Sequence, residues 1–208
     1  MSVLREKVQH KPIRLIAAAC RNGGIGNEGG LPWNLPKEFQ FFLDTVRTVS
    51  KPGKKNLIVW GRDCWFSAPE SLHPIANSLH AILSRTLKTA PPHAHYVCRD
   101  FDSAVSLACT PPLDDLLETI WIVGGTEVYR EALRHPYCDL LYLTDIMAEF
   151  ECDTFFPEFN QNLFRLQDSF PGVPDEIQEE CGIRYKFQVF KKTAQPESDM
   201  TMNCNKTI

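Results

Sequence analysis

Glu38 sits where its neighbours are apolar. Leu35, Glu38, Phe39 and Phe42 stand at i, i+3, i+4 and i+7, one stripe of a helix that begins near Pro36. Three of the four are large hydrophobes and the fourth is a carboxylate. Two readings are open. An acid in the first turn of a helix is favoured by the dipole and can lie at a wetted edge. Alternatively, Glu38 faces a pocket lined by Phe39 and Phe42 and recognises a nitrogenous ring, whose N–H pair its two coplanar oxygens would match. In a dry pocket its charge would also favour protonation of the bound ring.

Two glycine motifs are candidates for holding a phosphate-bearing ligand. Gly24-Ile-Gly26-Asn-Glu-Gly29 spells G-x-G-x-x-G, the pattern of a dinucleotide-binding turn. That reading needs a helix to start there, and Pro32 and Pro36 forbid one. Asp44 stands where a ribose-binding acid would be expected, but inside a different helix. This segment reads as a flexible loop, of a kind that can exclude water beside an active site. Ile122-Val-Gly124-Gly125-Thr126-Glu127-Val-Tyr129 is more informative. A buried strand ends in two glycines, and Thr126 can cap a helix carrying Val128, Tyr129, Ala132 and Leu133. Residues without Cβ admit a ligand close to the backbone, and helix N-terminal amides favour phosphate. A tight turn with no ligand satisfies the same pattern.

Apolar, β-branched runs alternate with helical patterns along the chain, as in an α/β fold with a largely parallel sheet. Strands are expected at Ile13–Cys20, Asn56–Gly61, Leu79–Ser84, His95–Cys98, Ile120–Val123, Leu140–Thr144 and Tyr185–Lys191, with a short one near Phe164–Gln167. Helices are expected at Pro36–Val49, Asp102–Cys109 and Thr126–Arg134, with a short turn from Asp63 to Ser67. Ile120–Val123 is continuously apolar, as a central strand buried on both faces would be. Tyr185–Phe190 partly alternates, which suits an edge strand with one wet side.

With 208 residues, 43% hydrophobic and 23% charged, the chain can bury a substantial core. We read 1–194 as one domain and 195–208 as a polar, mobile tail. A formal charge of −4 without a basic run argues against nucleic acid, so any anion must be held by local Arg or Lys clusters. No apolar run is long enough to span a bilayer, and the first ten residues lack the apolar stretch of a secretory signal, so a cytoplasmic location is expected. The eight cysteines include no C-x-x-C pair and read as free thiols.

Taken together, several segments resemble dihydrofolate reductase. They are Gly24-Ile-Gly26 with Leu31-Pro-Trp33, Glu38-Phe39 with Phe42, Gly61-Arg-Asp-Cys-Trp65-Phe-Ser67, Leu83-Ser-Arg85, Trp121-Ile-Val-Gly124-Gly125, Thr144, and Asp153-Thr-Phe-Phe-Pro157. They appear in order over roughly residues 12 to 192. The Glu38-Phe39 pair and the late segment, Glu179-Glu180 with Gly182-Ile-Arg-Tyr-Lys186, look more like eukaryotic members.

The resemblance implies an α/β domain with a mainly parallel sheet of eight strands, an antiparallel C-terminal strand and about four flanking helices. It implies NADPH-dependent reduction of 7,8-dihydrofolate to tetrahydrofolate, supplying one-carbon metabolism and thymidylate synthesis, with hydride passing from the nicotinamide to pterin C6 and a proton reaching N5 through water. Glu38 looks like the acid that binds the pteridine's ring nitrogen and amino group. Thr144 looks like its hydroxyl support, and Trp33 helps hold an ordered water. The substrate's surroundings would include Ile16, Ala17, Leu31, Phe39, Phe42, Ile75, Val123 and Tyr129. The cofactor would meet Ala18, Ile25 and Gly26, then Gly61, Arg62, Asp63 and Cys64, then Ser84, Arg85 and Arg99. It would also meet the run from Val123 through Gly124, Gly125, Thr126, Glu127 and Val128 to Tyr129. In that family the twin glycines are joined by a cis peptide, and Arg62, Arg85 and Arg99 would surround the 2′-phosphate. Tyr129 would sit near the cofactor's phosphates or nicotinamide. Antifolate inhibitors are implied as ligands; no metal is, and a monomer is expected.

Two positions depart from the family pattern. Ser78 stands where an arginine usually grips the glutamate-tail carboxylate, leaving Lys37 and His73 as possible substitutes. Cys64 stands where a threonine usually begins a helix, losing a hydroxyl that could bond phosphate. His93-x-His95 reads as a solvated pair rather than a metal site, Glu179-Glu180 as a surface loop, and Phe155-Phe156 as core rather than a cofactor platform. Two other functions share these features: a fold-related reductase acting on a pyrimidine of flavin synthesis, and a non-catalytic folate- or nucleotide-binding module. Glu38-Phe39 argues against the first, and the intact site residues argue against the second.

Overall fold

The computed structural model describes residues 10–193, so the proposed tail lies outside the described residues. In chain order the elements are β1 (Ile13–Cys20), β2 (Gly24–Gly26), α1 (Pro36–Arg47), β3 (Lys55–Gly61), α2 (Arg62–Ser67), β4 (Ser78–Leu83), β5 (Tyr96–Cys98) and α3 (Phe101–Ala108). They continue with α4 (Leu113–Leu116), β6 (Leu117–Ile122), α5 (Thr126–Arg134), β7 (Cys138–Ile146), β8 (Thr154–Phe155), β9 (Phe164–Leu166), β10 (Gln178–Glu180) and β11 (Ile183–Lys192).

The main sheet runs β10-β11-β7-β1-β6-β3-β4-β5, with β9 also paired to β11. From β7 to β5 every neighbouring pair is parallel, whereas β11 runs antiparallel to β7. The mixed, mostly parallel sheet with its antiparallel C-terminal strand is the architecture expected from the sequence. β2 and β8 form a separate two-stranded ribbon.

Period-two burial explains why both faces of the sheet are covered. Leu15, Leu57, Val59, Ile120 and Ile122 join one apolar cluster with α3 and α5 residues such as Phe101, Val105 and Leu133. Ile16, Ile58, Trp60 and Trp121 join another with Val46 of α1 and Trp65 of α2.

Local chemistry sets several boundaries. Pro36 occupies the first turn of α1, where its missing N–H costs nothing. The helix stops at Arg47 rather than Val49, because Asn56 Nδ2 takes the carbonyls of Val46 and Thr48 at 2.8 and 2.9 Å. Asp100 caps α3 by accepting from the Ser103 amide at 2.8 Å. β11 departs from the expected edge position, since β7 lies on one side and β9 and β10 on the other. Its alternation reports which face is wet, not whether both edges are paired. Helix α4, β2, β8 and β10 were not anticipated; each is four residues or shorter, too brief for a periodic signal.

Candidate active site

Because β1, β6, β3, β4 and β5 are parallel, their carboxyl ends share one edge of the sheet. In open α/β sheets this is where ligands bind. Ala18, Gly61, Ser84, Arg99 and Val123 all lie at or just beyond those ends.

Glu38 belongs on this edge and is not at a wetted surface. It lies in the first turn of α1 yet is only 6% exposed. Thr144, near the end of β7 and paired in register with Ala18, donates its hydroxyl to Glu38 Oε1 at 2.7 Å. Burial pushes the Glu38 pKa up; the Thr144 hydrogen bond opposes this, and the charge of Glu180 adds to the rise. Trp33 is buried with its ring edge-on to Phe150, and its Nε1–H has no acceptor among the described residues. The first of the two readings left open for Glu38 is therefore excluded by its burial.

Of the residues expected to wall the substrate's pocket, four share one apolar cluster. Ile16 and Ile75 are buried in one apolar cluster, with Phe42 and Val123 packed against it. Phe39 is half-buried, 5.5 Å from Phe42 between ring centres, and belongs to none of the three core clusters. Ala17 packs against the opposite cluster, as the strand alternation requires, and Leu31 is 52% exposed. Phe41 of α1 stacks on Phe187 of β11 at 3.9 Å, a further contact of the helix with the sheet.

Gly124 and Gly125 are joined by a cis peptide, and Gly124 has φ +121°. Gly124 O accepts from Gly61 N at 2.7 Å. A Cβ on Gly61 would stand 3.0 Å from Gly125 N and 3.2 Å from Gly124 O, so β3 and the β6–α5 turn touch backbone to backbone. A Cβ on Gly124 would meet Cys64 Sγ at 3.1 Å and the Tyr129 ring at 3.5 Å. Cys64 thus packs beneath the twin glycines, and burial followed by the nearby Asp63 charge pushes its thiol pKa up. Tyr129 is buried, and its hydroxyl donates to Ile16 O at 2.8 Å, tying α5 to β1. Burial holds that phenol well above its ordinary range.

The expected cap on α5 is not formed by Thr126. Gly125 occupies the cap position without a side-chain bond, and the Thr126 hydroxyl donates instead to Phe155 O at 2.7 Å, joining the helix to β8. The first-turn amides of α5 consequently have no side-chain acceptor within the helix cap. Val128 is core, its side chain 3.4 Å from the place of a Gly61 Cβ, and Glu127 pairs along the helix with Arg130.

Three exposed arginines stand at neighbouring strand ends: Arg62 after β3, Arg85 after β4 and Arg99 after β5. Arg62 is drawn to Asp63 at 2.9 Å and lies 3.4 Å from Thr86 Oγ1. Ser84 Oγ accepts the Thr86 and Leu87 amides, shaping the turn that carries Arg85. Ile25 and Gly26 sit in the β2–β8 ribbon, where Gly26 O accepts from Asp153 N at 3.1 Å.

Other expectations are corrected. Glu180 is part of β10, and its carboxylate accepts the Lys37 amide at 3.1 and 3.0 Å, closing the N-terminus of α1. That partner lies 143 residues away, so no local pattern marks it. His73 cannot replace a tail-gripping cation: it stacks on Trp65 at 4.1 Å, and burial lowers its pKa below the ordinary range, keeping the ring neutral. Ser78 is buried and spends its hydroxyl on Ile75 O at 2.7 Å. His95, though exposed, accepts the His80 amide at 3.1 Å instead of being merely solvated. Phe155 is 43% exposed and is not core, whereas Phe156 packs on the Tyr129 ring at 4.9 Å. Two surface depressions lie elsewhere, one beside Phe170 and Val173, the other beside Arg134 and Phe159, and neither includes Glu38 or the twin glycines. Among the described residues no helix is long and apolar enough to cross a membrane.

The chain and its fold are similar to those of known proteins. Residues 12–192 match the family model described as dihydrofolate reductase. The chain is 43% identical to a dihydrofolate reductase of Gallus gallus over 184 residues, covering 88% of this chain and 97% of that protein. It is 44% identical to a dihydrofolate reductase of Rattus norvegicus over 183 residues, covering 88% and 98%. The solved structure of Schistosoma mansoni dihydrofolate reductase superposes with a TM-score of 0.78 at 33% identity, covering 89% of this chain and all of that one.

Proposed function

The chain belongs to the dihydrofolate reductase family and is a nicotinamide-dependent oxidoreductase, and we propose that it reduces 7,8-dihydrofolate to 5,6,7,8-tetrahydrofolate with NADPH as reductant. The observation that carries this reading is the buried Glu38 carboxylate, bonded to Thr144 and set beside the bare strand ends.

When bound, NADPH supplies a hydride from its nicotinamide ring. The donor set suits a dinucleotide that carries a 2′-phosphate. The uncapped amides of Thr126, Glu127 and Val128 would take the pyrophosphate, with the glycine pair giving close backbone approach. Arg62, Arg85 and Arg99 would take the 2′-phosphate, supplying a local positive field on a chain of net charge −4. Cys64 adds no hydroxyl to that set.

Glu38 would orient the pterin by accepting two of its N–H groups and would raise the basicity of the bound ring. Thr144 fixes the rotamer and supports the charged form. The Trp33 Nε1–H would hold the water that delivers a proton to N5. Ile16, Phe42, Ile75 and Val123, which pack in one cluster, would form an apolar wall that keeps bulk water from the reacting face, and Phe39 would extend it. With a neutral serine at position 78, we expect a weaker grip on the substrate's tail carboxylate than an arginine gives.

The test is dihydrofolate-dependent oxidation of NADPH by wild type and Glu38→Gln across pH. We expect the variant to lose turnover by at least about a hundredfold at pH 7 and much less in acid, where substrate arrives already protonated. An equal loss at every pH would overturn the role given to Glu38.

A further inference from the structure

We infer that Cys20 and Cys152 form a thiol–disulfide exchange site that reacts with small-molecule disulfides and staples the loop from residue 21 to 30 to the segment from 148 to 156. Their sulfurs are 3.8 Å apart although the residues are separated by 132 positions. Among the described residues no other pair of cysteine sulfurs is in contact. Closing this gap to a bond requires a movement of a little under about 2 Å.

Three features suit the pair to exchange. Cys20, at the end of β1, is 4% exposed, and its Sγ lies 2.9 Å from Asn22 Oδ1. Cys152 is partly exposed, the more exposed of the two, and burial with the neighbouring Cys20 pushes its thiol pKa up, so the attacking thiolate is favoured as pH rises. Gly24 makes room for it: a Cβ there would stand 2.3 Å from Cys152 Sγ, so no other residue fits beneath the thiol without displacing it. Apart from apolar packing, the two segments are joined without a covalent bond, through the β2–β8 ribbon and hydrogen bonds that include Arg21 N to Ala148 O at 3.1 Å, Asp153 N to Gly26 O at 3.1 Å, Phe156 N to Gly23 O at 2.9 Å, and Glu28 N to Asp153 Oδ2 at 2.8 Å. Such joints open and reclose on their own, whereas a covalent bond at the root of the loop does not.

The step balances with a small disulfide, RS–SR, as oxidant. The Cys152 thiolate attacks one sulfur, forming Cys152 Sγ–SR and releasing RS⁻. The Cys20 thiolate then attacks Cys152 Sγ, forming the Cys20–Cys152 bond and expelling the second RS⁻. The two protons given up by the cysteines go to the two leaving thiolates. The protein loses two electrons and one RS–SR becomes two RSH.

The experiment uses the reduced full chain and oxidised glutathione. Free thiols are alkylated afterwards, and the peptides are mapped by mass spectrometry. A peptide pair joined through Cys20 and Cys152 is expected, and amide hydrogen exchange over residues 23–30 should slow by at least about tenfold. Dithiothreitol should reverse both changes. In Cys20→Ser, Cys152 should stop at the mixed disulfide with glutathione, and exchange over 23–30 should stay fast. Wild type that accumulates the mixed disulfide without the 20–152 link would overturn the proposal. So would a 20–152 link that leaves exchange over 23–30 unchanged. Neither readout depends on turnover, so this outcome is independent of the reductase reading.

Discussion

Thr144 Oγ1 reaches Glu38 Oε1 at 2.7 Å, joining a sheet strand to a helix 106 residues earlier in the chain. Each partner is less than a tenth exposed, so neither can substitute water freely for the other. A buried hydrogen bond to a charged acceptor contributes more than a neutral one.

Replacing Thr144 by valine keeps the shape and removes the donor. The hydrogen bond is the one influence lowering the Glu38 pKa, against burial and Glu180, so its loss should move that pKa further up. We expect kcat/KM for dihydrofolate to fall by about 10–100-fold at neutral pH, with the acidic limb of the Glu38 titration displaced to higher pH. Difference spectroscopy or NMR titration of the side chain checks the displacement.

Glu38→Gln should stabilise the protein while impairing it. Since folding raises this pKa above its unfolded value, the folded chain binds the proton more tightly, and ionisation costs stability as pH rises through the raised value. That cost is complete only above the raised value and vanishes below the ordinary carboxylate range. A neutral amide escapes it, while its oxygen still accepts from Thr144. Calorimetry should show the variant melting higher than wild type once pH exceeds the raised Glu38 value, by a margin that grows as pH rises through it, with no gain near pH 4.

His80 makes the fold acid-sensitive. It is fully buried, accepts from Trp60 Nε1 at 3.0 Å, and burial with neighbouring histidines drives its pKa down to about 3. The unfolded chain takes up this proton below the ordinary histidine range and the folded chain does not. Stability should therefore fall by up to about 1.4 kcal/mol per pH unit between roughly pH 6.5 and 3. His80→Asn retains an acceptor for Trp60 and should flatten that slope in urea titrations performed across the range.

Arg62→Gln tests the phosphate assignment. If Arg62 contacts the 2′-phosphate, the KM for NADPH should rise by about 10–100-fold while that for NADH, which lacks this phosphate, stays within about twofold. Parallel rises for both cofactors would place Arg62 in a structural role, through Asp63 and Thr86.

Several of these features were legible from residue order. The Leu35–Phe42 stripe located Glu38 on an apolar helix face, and the run into Gly124-Gly125 located the strand-to-helix turn. Most strands could be delimited to within a residue or two, because burial on one or both faces writes itself into period two or into unbroken apolarity within a few positions. Prolines excluded a dinucleotide helix after Gly24 by sterics confined to the same few residues.

Relations between distant segments were not legible, because they depend on which strands end up adjacent rather than on any local period. β11 is interior and not an edge because β9 and β10 pair on its outer side. Glu180 closes α1 because β10 brings it beside Lys37. Thr126 turns its hydroxyl to Phe155 rather than to its own helix because β8 lies within reach. Residue order could place an acid on an apolar stripe, but Glu38 lost its water only when β7 and α1 packed together, since desolvation comes from all the atoms around a group and not from its neighbours along the chain.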